Sequence, residues 1–323
     1  MTTTSRRDFL LGGAALACAA VPHDAISNTP PPAAVETACA LARCALRVRF
    51  LGTGAIDWEN GPNEYGETRR FTSVLVDGRT LIDFTPRNRE MLPEGCRPEV
   101  VFYTHSHRDH FDPEAALALG VKRVYCHESW AKTASRLLAG AAKGRPVPEV
   151  EGIAFGIPVV EGDVAFTALS ANHSTREKGE RCAMYLLDKG ATRLLYATDT
   201  CGIPRDALKY AGMERDAKHP FTAIVMEATA GLGHADDHRF FFSHSSVDLV
   251  ARTVRALEAS GRYRPHTAAQ SVWLTHLLRA QYASMGELET TLPAPLKAAF
   301  DGMEIEFGEQ SATSTTTTKE TTK

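Results

Sequence analysis

Thr104-His105-Ser106-His107-Arg108-Asp109-His110 is the stretch on which the reading of this chain turns. It follows a short apolar run, Val100-Val101-Phe102-Tyr103, which predicts a buried strand with the histidines on the loop at its carboxyl end. A tight loop cannot turn three imidazoles and a carboxylate all to solvent. Held close together, imidazole nitrogen and carboxylate oxygen suit one or two borderline divalent metals. The carboxyl edge of a strand is also where α/β sheets place their chemistry. The bland alternative, a solvated loop with chance histidines, leaves the density of the motif unexplained.

One such loop supplies too few ligands for two metals. Three further apolar runs each end in a candidate: Val164 to Leu169 leads to His173, Arg193 to Thr198 leads to Asp199, and Ser271 to Thr275 leads to His276. Taken singly, each is an ordinary cap or surface residue. As an ordered set they predict a metal cluster along one sheet edge.

With these motifs the chain resembles the metallo-β-lactamase-fold hydrolases from about Leu46 to Phe307, beginning with Arg47-Val48-Arg49-Phe50-Leu51-Gly52-Thr53-Gly54. The resemblance implies an α/β fold, a four-layer αββα sandwich. It implies one metal on His105, His107 and His173, a second on Asp109, His110 and His276, and Asp199 bridging them. The β-lactamases themselves lack that bridge. Met226-Glu227-Ala228-Thr229 resembles the His-Glu-Ala-Thr segment of the tRNA 3′-processing endonucleases (RNase Z), and Ser243-His244-Ser245-Ser246 their Gly-His-Ser-Thr segment. This implies that Glu227 and His244 act together at the leaving group. Met226 stands where that family has histidine, and no long basic arm for tRNA is evident. Related phosphodiesterases of cyclic nucleotides or cyclic phosphates share much of the set, so the expected substrate is a small phosphodiester.

Two metals about 4 Å apart lower the pKa of a bridging water towards neutrality, which makes hydroxide the expected nucleophile. Asp109 and Asp199 partly neutralise the two cations. Protonating the leaving oxygen is a task for an imidazole held by a carboxylate, here His244 with Glu227. Zinc is the expected metal, with manganese and iron as alternatives. Three other readings stay open: a lactonase or other acyl hydrolase, a tRNA 3′-processing-type endonuclease, and a non-catalytic metal carrier.

The chain divides by composition. Ser5-Arg6-Arg7-Asp8-Phe9-Leu10 and the apolar run Leu11 to Val21 match a twin-arginine signal, so residues 1–25 are expected to be a leader. The run is too short to span a membrane. Export through the twin-arginine machinery, already folded, would make the protein periplasmic or otherwise extracytoplasmic. Ala15-Leu16-Ala17-Cys18 is a poor lipoprotein site, and plain cleavage near Ala17-Cys18-Ala19 fits, so no lipid anchor is expected. Residues 26–45 read as a Pro- and Ala-rich linker with a short helix from about Ala33 to Ala45. Residues 46–310 read as one hydrolase domain and 311–323 as a disordered Thr-rich tail.

The formal net charge is −3, and leader and tail are slightly basic, so the body is more acidic than the whole. Such a body gains little on a polyanion, which disfavours a stable nucleic-acid partner and leaves a small-molecule substrate. Oligomeric state is open, a homodimer included. Outside the leader, Cys39, Cys44, Cys96, Cys126, Cys182 and Cys201 match no thiolate zinc spacing, and their pairing is not readable.

Asp77-Gly78 predicts a hairpin between Thr72–Val76 and Thr80–Asp83. Ile56 to Arg70 reads as a long loop. Helices are expected at Pro113–Leu119, Ser129–Ala142, Arg205–Ala211 and Ser246–Glu258, the last opened by Ser245 with Asp248 as a capping-box-like pair. That would put His244 at a helix N-terminus, suited to anions. The loop Gly231–Phe242 reads as a surface excursion with phenylalanines tucked inward, a lid or extra metal site being the alternative. His127 reads as a capping or packing residue.

Overall fold

The computed structural model describes residues 45–235, 242–266, 272–282 and 284–308. The expected leader, the linker before Ala45, the Thr-rich tail and part of the Gly231–Phe242 loop lie outside them.

The apolar runs become strands of two sheets. β1 (Leu46–Gly52), β2 (Ser73–Val76), β3 (Thr80–Ile82), β4 (Val100–Phe102), β5 (Arg123–His127) and β6 (Glu149–Ile153) lie side by side in that order. β7 (Pro158–Glu161), β8 (Val164–Ser170), β9 (Ala183–Lys189), β10 (Thr192–Ala197), β11 (Ala223–Glu227), β12 (Val272–Thr275) and β13 (Leu296–Ala298) form the second sheet in the same way. The last strand, β14 (Glu304–Phe307), returns to pair with β1. In each sheet antiparallel pairing gives way to parallel at one strand, β3 in the first and β10 in the second. The parallel strands that follow point their carboxyl ends to one edge.

Three apolar cores separate four layers. Between the sheets, Val48, Phe50, Ile82 and Phe102 meet Phe166, Tyr185, Leu187 and Tyr196. Phe102 stacks on Phe166 with centroids 4.4 Å apart. On the outer face of the first sheet lie α1 (Pro113–Leu119) and α2 (Glu128–Ala141), packed through Leu117, Trp130, Ala134 and Leu138. The second sheet is covered by α3 (Arg205–Tyr210), α4 (Val247–Ala259) and α5 (Met285–Thr291), packed through Ala207, Val250, Val254, Leu257 and Leu288. Each large side chain so buried contributes about 1.5–3 kcal/mol. Sheets covered on both faces explain why the strands read as unbroken apolar runs rather than alternating ones. The four-layer αββα sandwich is therefore the fold.

The hairpin turns at Asp77 and Gly78, with φ of 48° and 68°. The long loop after β1 contains one short turn of helix, Ile56–Asn60, whose buried Trp58 donates Nε1–H to the Leu277 carbonyl at 2.7 Å. The start of α4 differs from expectation. Ser246 is its N-cap, accepting from Leu249 N–H at 3.2 Å. Ser245 instead donates its hydroxyl to the Thr200 carbonyl at 2.8 Å and accepts from Gly202 N–H at 3.0 Å. His244 thus precedes the cap by two residues and is not at the helix end; the pull of the Thr200 loop on Ser245 decides this. His127 caps α2, its Nδ1 accepting from Ser129 N–H at 3.2 Å. Cys96, Cys126 and Cys182 are free thiols.

Candidate metal centre

The carboxyl end of β4 delivers the His-rich loop, and the loop folds back on itself. The N–H groups of His110 and Phe111 both donate to the His107 carbonyl, at 2.9 and 2.8 Å. This turn brings His110 beside His105, with ring centroids 4.4 Å apart. The second sheet adds one residue per strand end: His173 after β8, Asp199 after β10 and His276 after β12.

The donor atoms gather into two groups. His107 Nδ1 lies 3.0 Å from His105 Nε2 and 3.2 Å from His173 Nε2. Beside this trio, His110 Nε2 lies 3.3 Å from His276 Nε2, with Asp109 Oδ2 3.6 and 3.5 Å from the two. Asp199 stands between the groups. Its Oδ1 is 4.0 Å from His105 Nε2 and 3.7 Å from His173 Nε2, while its Oδ2 is 3.0 Å from His110 Nε2 and 3.3 Å from His276 Nε2. All seven residues predicted from sequence come together here.

Imidazole nitrogens facing one another at such distances either share a proton or flank a cation, and the crowding of donors here favours a cation. The opposite ring nitrogens reinforce this, because four of the five are already engaged. His105 Nδ1 meets Thr104 Oγ1 at 2.9 Å, and His110 Nδ1 meets Asp83 Oδ2 at 2.7 Å. His173 Nδ1 meets the Ser243 carbonyl at 3.0 Å, and His276 Nδ1 meets Thr229 Oγ1 at 2.9 Å. Such outer contacts fix the tautomer and aim the free lone pair at a metal. The residues therefore fit a pair of divalent metal ions, one per group.

Charge follows the same division. Burial depresses His105 well below the usual imidazole value, with His110 adding to the effect, and it lowers His107 to about 4. These rings are neutral and ready to coordinate. Burial opposes charge on His110 too, but Asp199, Asp109 and Asp83 outweigh it and hold its pKa well above normal. Asp199 is kept well below the usual carboxylate range despite burial, by His276 and His110.

Glu227 and His244 lie beside these donors. Glu227 ends β11 fully buried, accepting from Thr200 N–H at 2.8 Å and Thr229 N–H at 3.0 Å, and from the Thr229 hydroxyl. His244 Nδ1 is 3.2 Å from Glu227 Oε1 and 3.8 Å from Asp199 Oδ1. Burial alone would lower the His244 pKa; Glu227, then Asp199 and Asp109, reverse this and bring it to about 9. His107, Asp109, Asp199, His244 and His276 open onto a cleft of about 720 Å³, whose other walls include Ile56, Trp130, Leu137, Arg108 and Arg176.

Asp83, Thr104 and Thr229 were not singled out from the sequence. Asp83 follows β3 just as Asp199 follows β10, so the same pattern of an apolar run ending in an acid marks it. Three of the five non-glycine residues with positive φ among the described residues belong to this centre: Asp83 at 57°, Asp199 at 49° and His276 at 56°.

Residues 73–276 match the model of the beta-lactamase superfamily domain, and the chain belongs to that family. Among solved structures it is similar to a diphosphatase from the PhnP family, at 21% identity and a TM-score of 0.55, covering 81% of this chain and 98% of the other. Zn²⁺-bound PqqB from Methylobacterium extorquens is 18% identical, with a TM-score of 0.58 and coverage of 80% and 99%. The short form of human tRNase Z is 16% identical, with a TM-score of 0.55 and coverage of 80% and 98%. No curated protein matches the chain. With this fold and this donor set, the protein is a metal-dependent hydrolase.

Proposed function

We propose that the protein is an exported phosphodiesterase that acts on a small, cyclic or nucleotide-like phosphodiester with two metal ions, zinc in the first instance. The observation that carries this is the His244–Glu227 pair, an imidazole on a buried carboxylate at 3.2 Å, adjoining the two donor groups with its Nδ1 turned to Glu227, and with His244 opening on the cleft. His105, His107 and His173 would hold one ion and Asp109, His110 and His276 the other, with Asp199 standing between the two groups. Bound there, the ions supply a water activated near neutral pH and positive charge for the substrate's oxygens.

The protein's own groups do the rest. Glu227 keeps Nδ1 of His244 engaged, which leaves Nε2 to hand a proton to the departing oxygen. Thr200 and Thr229 hold Glu227 in place from behind. Arg176 at the cleft suits an anionic substrate, since a guanidinium group pairs well with phosphate oxygens, whereas Arg108 beside it is paired with Glu59 at 2.7 Å. The zinc in the PqqB structure and the names of the diphosphatase and the tRNase Z agree with this reading.

A panel of bis-(p-nitrophenyl) phosphate, a cyclic nucleotide, an acyl lactone and a cephalosporin, run with metal analysis, tests it. Turnover of the phosphodiesters is expected. Turnover of the lactone or cephalosporin alone would make the protein an acyl hydrolase. Export is tested by exchanging Arg6 and Arg7 for lysine: the precursor should stay in the cytoplasm, and normal export of that variant would refute the twin-arginine route.

A further inference from the structure

We propose that Glu180 is a positioning residue for the trio His105, His107 and His173, acting as one carboxylate clasp on the two segments that deliver all three. This rests on the metal assignment above. Glu180 lies in the connection between β8 and β9, outside every group so far given a role. Its Oε1 accepts from Ser106 N–H at 2.8 Å, and its Oε2 accepts from the Ser106 hydroxyl at 2.5 Å and from the Thr175 hydroxyl. Ser106 stands between His105 and His107. Thr175 is two residues after His173. Asp109, His110 and His276 have no hydrogen bond to Glu180 among the described residues.

The connection that carries Glu180 is itself anchored. Ala183 N–H donates to the Thr104 carbonyl at 2.9 Å, just before the His-rich loop. Further out, Thr133 on α2 donates its hydroxyl to Glu177 at 3.0 Å, and Arg181 N–H donates to Ser129 Oγ at 3.0 Å. Glu180 is thus the inner end of a braced loop whose outer residues, Arg176 and Glu177, line the cleft. Three donors converge on a group that can only accept when ionised. Glutamine has nearly the same shape but no charge: its N–H₂ must face either the Ser106 N–H, which cannot accept, or the two hydroxyls, which must turn round to accept, and the charge-assisted bonds are lost. The Ser106–Thr175 link should then loosen and the two segments shift. Outer contacts of this kind typically change metal affinity by about 10–100-fold.

The test is a Zn²⁺ titration of the full chain against a competing chelator, wild type beside Glu180→Gln. The wild type should take up about two equivalents. In Glu180→Gln one equivalent should bind roughly 10–100-fold more weakly while the other is unchanged, and excess Zn²⁺ should restore the rate. With Co²⁺ as the probe, the absorption of the weakened equivalent should be the one that shifts. Unchanged affinity for both equivalents, or equal loss of both without rescue by excess metal, would overturn the proposal, the second outcome marking a merely structural role. Should Glu180→Gln fail to fold, Thr175→Val removes one hydroxyl donor at constant shape. It should weaken the same single equivalent by a smaller factor, and an unaltered titration would again overturn the assignment. A wild type that binds fewer than two equivalents refutes the dinuclear reading, and with it the clasp. A wild type that binds two but hydrolyses no phosphodiester refutes only the substrate class.

Discussion

Asp83 follows β3 and Asp199 follows β10, the strands at which each sheet turns from antiparallel to parallel pairing. Both residues have left-handed backbone, at φ of 57° and 49°. In the first half, the next strand delivers a loop with four of the clustered donors, and Asp83 lies behind it. Its carboxylate accepts from Thr104 N–H at 2.8 Å and bonds His110 Nδ1 at 2.7 Å, so it backs these donors without joining either group. In the second half the strands deliver one functional residue each, and Asp199 faces the Nε2 atoms of four imidazoles directly. The same backbone device therefore aims a carboxylate at the same edge twice. What the following strand brings decides whether it becomes a ligand or a prop.

Removing the ligand should break the comparison most severely. Asp199→Ala is expected to lose at least one metal of about two per chain and nearly all hydrolysis. Full metal content with full rate would abolish the distinction between the two aspartates. His244→Ala comes next. It should lower turnover by roughly 10²–10⁴-fold for an alkoxide leaving group, with little loss for p-nitrophenolate and unaltered metal content. Equal losses with both leaving groups would make His244 a binding residue instead of a proton donor.

The same imidazole has a pH signature in metal-stripped protein. Its pKa rises from 6.5 to about 9 on folding, so its pairing stabilises the fold fully below pH 6.5 and ceases to do so as pH passes 9. Melting curves of wild type and His244→Ala should differ most at low pH and converge above pH 9. A gap that widens with pH would contradict the pairing.

Asp83→Asn sharpens the contrast from the other side. Asp83 reaches His110 directly and His105 through the Thr104 hydroxyl, so both metals should bind about 10–100-fold more weakly, with the rate recovered at high metal concentration. Loss that excess metal cannot repair would place Asp83 among the ligands. Smallest of all, Ser246→Ala should cost about 1 kcal/mol of stability by uncapping α4 and leave metal binding alone. Denaturant melts and metal analysis read both effects.

The two halves also differ in how openly the sequence displays them. The His-rich loop announces itself because four donors crowd into six residues. His173, Asp199 and His276 are legible only as an ordered set of strand-end residues, and Glu227 and His244 only by resemblance. Asp83 carries the same strand-end signal but reads as the last residue of a hairpin strand, while Thr229 has no signal at all: it meets Glu227, His244 and His276, and no local pattern records a partner 47 residues away. The long apolar strands and the α1 boundaries follow from periodicity and capping. Strands β6 and β7 do not, because they are largely exposed sheet edges with little apolar signal. The start of α4 misreads for a related reason: Ser245 and Ser246 are alike in sequence, and a distant loop chooses between them.

The left-handed backbone at Asp83, Asp199 and His276 has a consequence for anyone improving this protein. Each such residue costs the fold about 1–3 kcal/mol that glycine would not. Directed evolution scored on the heat resistance of the metal-free protein would favour glycine at these positions. Every such gain would strip out a ligand or its prop. Thermal robustness and metal occupancy are thus opposed at three known codons, and a library meant to raise both should hold those three fixed.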